Sequence, residues 1–130
     1  MKWAMWGWGL LAGFALGSYL TLSCAPARAQ SADVADALDH AAAEYGVAPS
    51  CLWTIARRES RFLPWVDNRQ GSGARGLMQF KDRTWAFMSR MAGYGGWSVY
   101  SAWAASHTAA WAIANPGPSQ GGLRHWGGWC

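Results

Sequence analysis

Glu59 is the residue whose setting in this chain asks for a chemical explanation. It stands in the stretch TIARRESRFLPW, among Arg57, Arg58 and Arg61. On a helix through this stretch, Leu52, Ile55, Ala56 and Glu59 share one face, so the carboxyl joins an apolar stripe. Removal from water raises a carboxyl pKa, and the negative end of a helix dipole pushes the same way. A carboxyl that keeps its proton near neutral pH is suited to general acid catalysis. On that helix the three arginines point about 100° or more away from Glu59, toward solvent or a ligand. A buried Glu59–arginine pair that holds the fold together is the competing reading of the same position.

The other chemistry-bearing residues are few. Of three cysteines, Cys24 lies in an N-terminal apolar segment, and its removal leaves Cys51 and the terminal Cys130. An even pair in an exported chain reads as a disulfide, and closing so long a loop is worth about 4 kcal/mol in the chain-entropy model. The alternative makes Cys51 a nucleophile with His107 or His125 as its base. His40, His107 and His125 are scattered, without paired spacing or an H-E-x-x-H run. No metal and no cofactor is therefore expected. His40 is expected at the surface and His107 in helix packing.

Four helical segments must position these groups. Ser31 to Tyr45 carries Val34, Ala35, Leu38, Ala41 and Ala42 at helical spacing, with Gly46 as a stop. Pro49 opens a second helix through Cys51 to about Ser60, and Pro64 is expected to end it. The text from Asp67 to Gly76, DNRQGSGARG, is a glycine-rich polar loop with no strand period. Thr84 to Met91 is helical again, with Asp82 as a cap. A helix over Ser98 to Ala114 follows, with Trp103, His107 and Trp111 four residues apart. The expected architecture is a small all-helical single domain with one Gly-rich excursion.

The chain divides into an export segment, residues 1–29, and a working domain, residues 30–130. Lys2, a long uncharged apolar run and the small residues Ala27 and Ala29 lay out a secretory signal. A retained membrane anchor is the alternative. Either reading sends the domain out of the cytoplasm, to the periplasm or the exterior. The net charge is +4, and between Arg57 and Arg90 the cations outnumber Glu59, Asp67 and Asp82. A basic surface suits a polyanionic partner, and for an exported chain an anionic wall or membrane is expected rather than nucleic acid.

ESRFLP, then GARGLMQF, then TW resembles the lytic transglycosylase family (SLT-type), which shares its fold with goose-type lysozymes. The matching residues are Glu59, Ser60, Phe62 and Pro64, then Gly73-Ala74-Arg75-Gly76-Leu77-Met78-Gln79. The lead-in AEYGVAPSCLWTIARRES is similar to the family's two-helix entry. The resemblance covers about Ala35 to Met88. Beyond it, AIANPGPSQGG is similar to an Ala-Tyr-Asn-Ala-Gly segment, without the tyrosine. LRHWGGWC is similar to the end of small secreted members whose last cysteine bridges back to the catalytic helix.

The resemblance implies a small helical fold within the lysozyme-like superfamily, which also holds α+β members, with the Gly-rich loop forming part of the substrate groove. It implies that Glu59 is the acid/base of peptidoglycan cleavage between N-acetylmuramic acid and N-acetylglucosamine, leaving 1,6-anhydro ends. Ser60, Gly76, Leu77, Met78, Gln79, Phe80 and Asn115 would bind the glycan. Trp65, Phe80, Trp85 and Trp97 are candidates for stacking on sugar faces or for core packing. Trp53, Trp103 and Trp111 are expected in the core. Gly73 and Gly76 would let backbone approach a ligand. Ordinary glycosidases use two carboxyls, and after Glu59 only Asp67 and Asp82 remain. A hydrolytic muramidase that uses Asp67, and a non-catalytic wall-binding or assembly module, are the alternatives. Peptidoglycan is the expected partner, and an envelope-spanning secretion or conjugation machine and the membrane are further ones.

Overall fold

A computed structural model describes residues 27–68, 70–117 and 122–130. Residues 1–26 of the expected export segment, Cys24 among them, lie outside the described residues. Among those described, no helix is long and apolar enough to cross a membrane.

Helix α1 spans Ala27–Tyr45, beginning ahead of the expected Ser31. Its buried stripe is Val34, Ala37, Leu38, Ala41 and Ala42. Ala37 takes the place expected of Ala35, which is only partly buried. Gly46 ends α1 at φ +66°, a value glycine adopts without a Cβ penalty. The Val47 amide then reaches back to the Ala42 carbonyl at 3.0 Å, which satisfies a terminal acceptor of the helix.

Helix α2 spans Pro49–Ser60, with proline in its first turn. It buries Cys51, Leu52, Ile55, Ala56 and Ser60. What ends it is not Pro64 but a left-handed turn: Arg61 at φ 55° and Phe62 at φ 64°. Their amides bond to the Arg57 and Ala56 carbonyls. Two consecutive left-handed non-glycine residues are costly, and they lie directly after Glu59-Ser60.

Helix α3 spans Asp82–Met91. Asp82 is its first residue rather than its cap, and its carboxylate lies 3.6 Å from Arg75 Nε. Helix α4 spans Ala102–Ala114, and Ser101 caps it by accepting from the Ala104 amide. The expected start at Ser98 is too early. Most of α4 is buried, through Ala104, Ala105, Ser106, His107, Thr108, Ala109, Ala110 and Ala112. A helix apolar around most of its girth belongs at the centre of a fold. Helix α1 packs against it more extensively than any other pair of elements does, and the alanines on both allow that close approach. A 3₁₀ turn over Gly122–Trp126 is the last named element.

The glycine-rich excursion is tied by backbone bonds without becoming a named strand. Arg75 exchanges both hydrogen bonds with Phe80, and the Asn68 and Gly76 amides bond to Ala74 and Val66 carbonyls. Gly76, at φ +77°, lies so close to the Val99 carbonyl that a Cβ would collide with it. The close approach that Gly76 allows in this structure is to the chain itself. Leu77, Met78 and Phe80 follow directly into the core with no exposure.

The C-terminus returns to α2. Cys51 and Cys130 are bridged across 79 residues, with Cα atoms 4.8 Å apart. Trp126 is buried and its indole donates to the Met78 carbonyl at 2.9 Å. Arg58 lies over the Trp129 ring at 5.0 Å. The all-helical lysozyme-like expectation holds: four α-helices surround one core, and no strand appears among the described residues. Replacing Cys130 by serine is expected to remove about 4 kcal/mol of unfolding free energy, read from denaturant midpoints of the oxidised wild type and the variant.

Candidate functional site

Helix α2 delivers Glu59 to its last turn. The three residues preceding it on the same face, Leu52, Ile55 and Ala56, are fully buried, so Glu59 enters the edge of the core instead of open solvent. Its side chain is partly buried, and that desolvation pushes its pKa above the ordinary glutamate value. Among the described residues no cation pairs with it. Arg57, Arg58 and Arg61 are all exposed. The alternative of a buried Glu59–arginine pair therefore has no partner among them.

Glu59 faces a cleft of about 830 Å³, lined by Arg58, Glu59, Trp65, Val66, Asp67, Asn68, Gln70 and Gln79. That volume suits a small-molecule or oligosaccharide segment. The floor comes from α2 and the wall from the glycine-rich excursion. Gln79 links the two halves of that excursion: its amide donates to the Val66 carbonyl at 3.0 Å and the Gly76 carbonyl at 2.9 Å. It is held at φ 53°. An amide nitrogen spent on two carbonyls leaves the side-chain oxygen as the group available to the cleft. Among the described residues three non-glycine positions have positive φ: Arg61 and Phe62, just after Glu59-Ser60, and Gln79 in the cleft lining. Strained backbone of this kind persists where surrounding bonds over-determine it.

The other residues singled out from the sequence distribute unevenly. Gly76 and Gln79 belong to the excursion, and only Gln79 lines the cleft. Leu77, Met78 and Phe80 have no exposed side-chain surface. They anchor the segment, and Phe80 packs against Trp85, His125 and Trp126. Ser60 is buried and donates to the Ala56 carbonyl at 3.0 Å, so its hydroxyl is spent on its own helix. Asn115 is exposed at the end of α4, donates to the Trp111 carbonyl, and is not part of the cleft lining. Cys51 is consumed by its bridge to Cys130 and offers no thiol.

The tryptophans divide by exposure. Trp65 is 54% exposed and lies in the lining of both the cleft and a second depression of about 470 Å³. Asp33, Val34, Asp36, Pro64, Ala102 and Trp103 complete the second one. Trp103, expected in the core, is 38% exposed and walls that depression. Trp97 is exposed away from both, and Trp85 donates to its carbonyl. Trp53, half-buried, donates to the Asp39 carboxylate at 2.7 Å.

Asp67 is brought into the same cleft as Glu59. One of its oxygens accepts from the Tyr100 hydroxyl at 2.6 Å. Asn68 and Gln70 were not singled out from the sequence. Their only signal was a polar loop, which any surface turn would share. His40 is exposed and His107 is buried between α4 and α1, as expected from the sequence. His40 and His107 meet across helices, with Nδ1 of the first 2.9 Å from Nε2 of the second. With Glu44 they form a group able to hold a metal ion.

The family model of the transglycosylase SLT domain matches residues 36–116. Neither a curated protein nor a solved structure matches the chain. The matched span runs from α1 through α4 and contains Glu59, the glycine-rich excursion and the whole cleft lining. With more than half of its length so matched, the chain belongs to the SLT transglycosylase family, and its domain is of the lytic-transglycosylase type that acts on peptidoglycan.

Proposed function

We propose that this protein cleaves the β-1,4 bond between N-acetylmuramic acid and N-acetylglucosamine with Glu59 as the single acid and base, leaving 1,6-anhydro ends. The observation that carries this reading is a partly buried carboxyl, its pKa raised by desolvation, in a polar cleft. Protonated Glu59 gives its hydrogen to the bridging oxygen as the glycosidic bond breaks. The substrate's 2-acetamido oxygen supports the positive anomeric carbon. The carboxylate so formed then takes the proton of the C6 hydroxyl, and that oxygen closes on the anomeric carbon. Glu59 ends as it began, and no water is consumed.

The surroundings support this chemistry in stated ways. A proton donor must hold its proton at the start, and burial favours that form. Trp65 offers an exposed ring beside the acid for sugar stacking. Because Trp65 borders both depressions, a glycan strand can run from the acid across this ring toward Trp103. The Cys51–Cys130 bridge favours an oxidising compartment, in keeping with export to the periplasm or beyond. The exposed arginines of α2 suit an anionic wall.

Asp67 motivates a second reading, hydrolysis with Asp67 positioning water, because it shares the cleft with Glu59. Its hydrogen bond from Tyr100 occupies one oxygen and favours a structural tie to the chain ahead of α4 over work on water. Product mass separates the two: anhydro ends lack one water relative to reducing ends. Asp67→Asn is expected to leave the yield of anhydro products from purified sacculi nearly unchanged. Reducing ends from the wild type, lost in that variant, would establish hydrolysis.

Glu59→Gln is expected to keep the helical circular dichroism of the wild type and to lower cleavage of sacculi about 100-fold or more. Full activity in that variant would end the single-acid reading.

The raised pKa carries two pH signatures. The kcat/KM for glycan release is expected to fall on the alkaline side of a pKa above 4.5, because only protonated Glu59 can donate. Stability moves in the same direction. Between the unfolded and the folded pKa the native state holds a proton that the unfolded state has released, so stability falls as pH rises through this window. Glu59→Gln removes that cost. Its melting temperature is expected to exceed that of the wild type at pH 7 and to match it at pH 3.5, as measured by thermal denaturation.

A further inference from the structure

His40 and Glu44 lie one turn apart on α1, and His107 faces them from α4. His40 Nδ1 is 2.9 Å from His107 Nε2 and 3.5 Å from a Glu44 carboxylate oxygen. His107 Nε2 is 3.2 Å from the same oxygen. A tetrahedral zinc ion with bonds of about 2.0 Å sets its ligand atoms about 3.3 Å apart. The three atoms thus already form one face of such a tetrahedron.

The hydrogen bonding of His107 points to a cation. Its ring is fully buried, and Nδ1 lies 2.8 Å from the Trp103 carbonyl oxygen. A carbonyl only accepts, so Nδ1 carries a hydrogen, and in the neutral ring Nε2 presents a lone pair. That lone pair looks at a carboxylate oxygen, which is also an acceptor. One hydrogen on His40 Nδ1 must then serve two acceptors, whereas one divalent cation would satisfy all three atoms. A backbone carbonyl that fixes the tautomer of a ligating histidine is the usual support of a metal site. The Trp103 ring, 4.2 Å from His107 and 4.6 Å from His40 between centroids, restrains both imidazoles. His40 and Glu44 are exposed, so an ion can enter, and a fourth position opens toward solvent.

We propose that His40, Glu44 and His107 bind one zinc ion, through two imidazole nitrogens and one carboxylate oxygen, and that the ion clamps α1 to α4. The site shares no residue with the Glu59 cleft and is independent of the catalytic assignment. Imidazole with carboxylate suits zinc better than magnesium or calcium, which prefer all-oxygen sets.

The test is titration of the untagged full chain with zinc chloride by calorimetry, with X-ray absorption on the loaded protein. One equivalent is expected to bind with micromolar or tighter affinity, showing two imidazole nitrogens at about 2.0 Å. Zinc is expected to raise the melting temperature of the wild type but not of His40→Ala. His40→Ala and Glu44→Gln, both at exposed positions, are each expected to weaken binding at least tenfold. The variants keep every other ligand of the full chain, Cys24 included, so binding elsewhere cancels in the comparison. Glu59→Gln should bind zinc as the wild type does. Equal affinity in wild type, His40→Ala and Glu44→Gln would overturn the site, as would no binding up to millimolar zinc. Either result would leave a proton as the occupant between His107 and Glu44.

Discussion

Partial removal from water, with no compensating positive charge paired to it, raises the pKa of a carboxyl. The arrangement around Glu59 follows from that constraint. Helix α2 supplies the desolvation by embedding Leu52, Ile55 and Ala56 completely, so that the next residue on that face stops at the rim of the core. The same helix carries Arg57 and Arg58 two positions and one position earlier, yet helical geometry turns them outward. A shift of the chain by one residue would reverse this, exposing the acid and burying a guanidinium. The pairing of an acid at the rim with cations at the surface is therefore a property of register.

Helix α2 stops one residue after Glu59, at Ser60, and the chain does so at a cost. Arg61 and Phe62 both adopt left-handed backbone, which only tertiary bonds can sustain. The glycine-rich excursion then meets the helix end from the other side. Leu77, Met78 and Phe80 are its anchor in the core, and Gln79 ties the two limbs through the Val66 and Gly76 carbonyls. The segment that most resembles a binding motif contributes chiefly as a fastening. One of its side chains reaches the cleft, while three secure the backbone. The disulfide and the buried Trp126 then hold the C-terminal segment against this assembly.

The centre of the fold is built on a different economy. Helix α4 is alanine-rich and buried around most of its surface, and α1 lies against it with alanines of its own. Small side chains permit close helices but bring little apolar area each. In this interface sits the fully buried His107, bonded to its own helix through one nitrogen and facing α1 with the other. A domain of this size has a small core, and a polar contact at its main helix interface has a correspondingly large share in fixing how α1 and α4 sit.

Local periodicity was enough to find the four helices, the apolar stripe that includes Glu59 and the helical class, because each depends on spacing within one segment. The parity of the cysteines, with export expected from the leading segment, pointed to the Cys51–Cys130 bridge in the same way. Helix ends were less legible: Pro64 looked like the stop of α2, but the left-handed turn at Arg61 comes first, and α4 begins at its Ser101 cap rather than at Ser98. The tertiary structure alone decided which side chains reach a surface. It buried Leu77, Met78 and Phe80, spent Ser60 and Asn115 on their own helices, exposed Trp103 and brought His40 to His107. The physical reason is that exposure and contact between residues distant in sequence depend on how elements pack, and a pattern along one segment carries no record of what will stand opposite it.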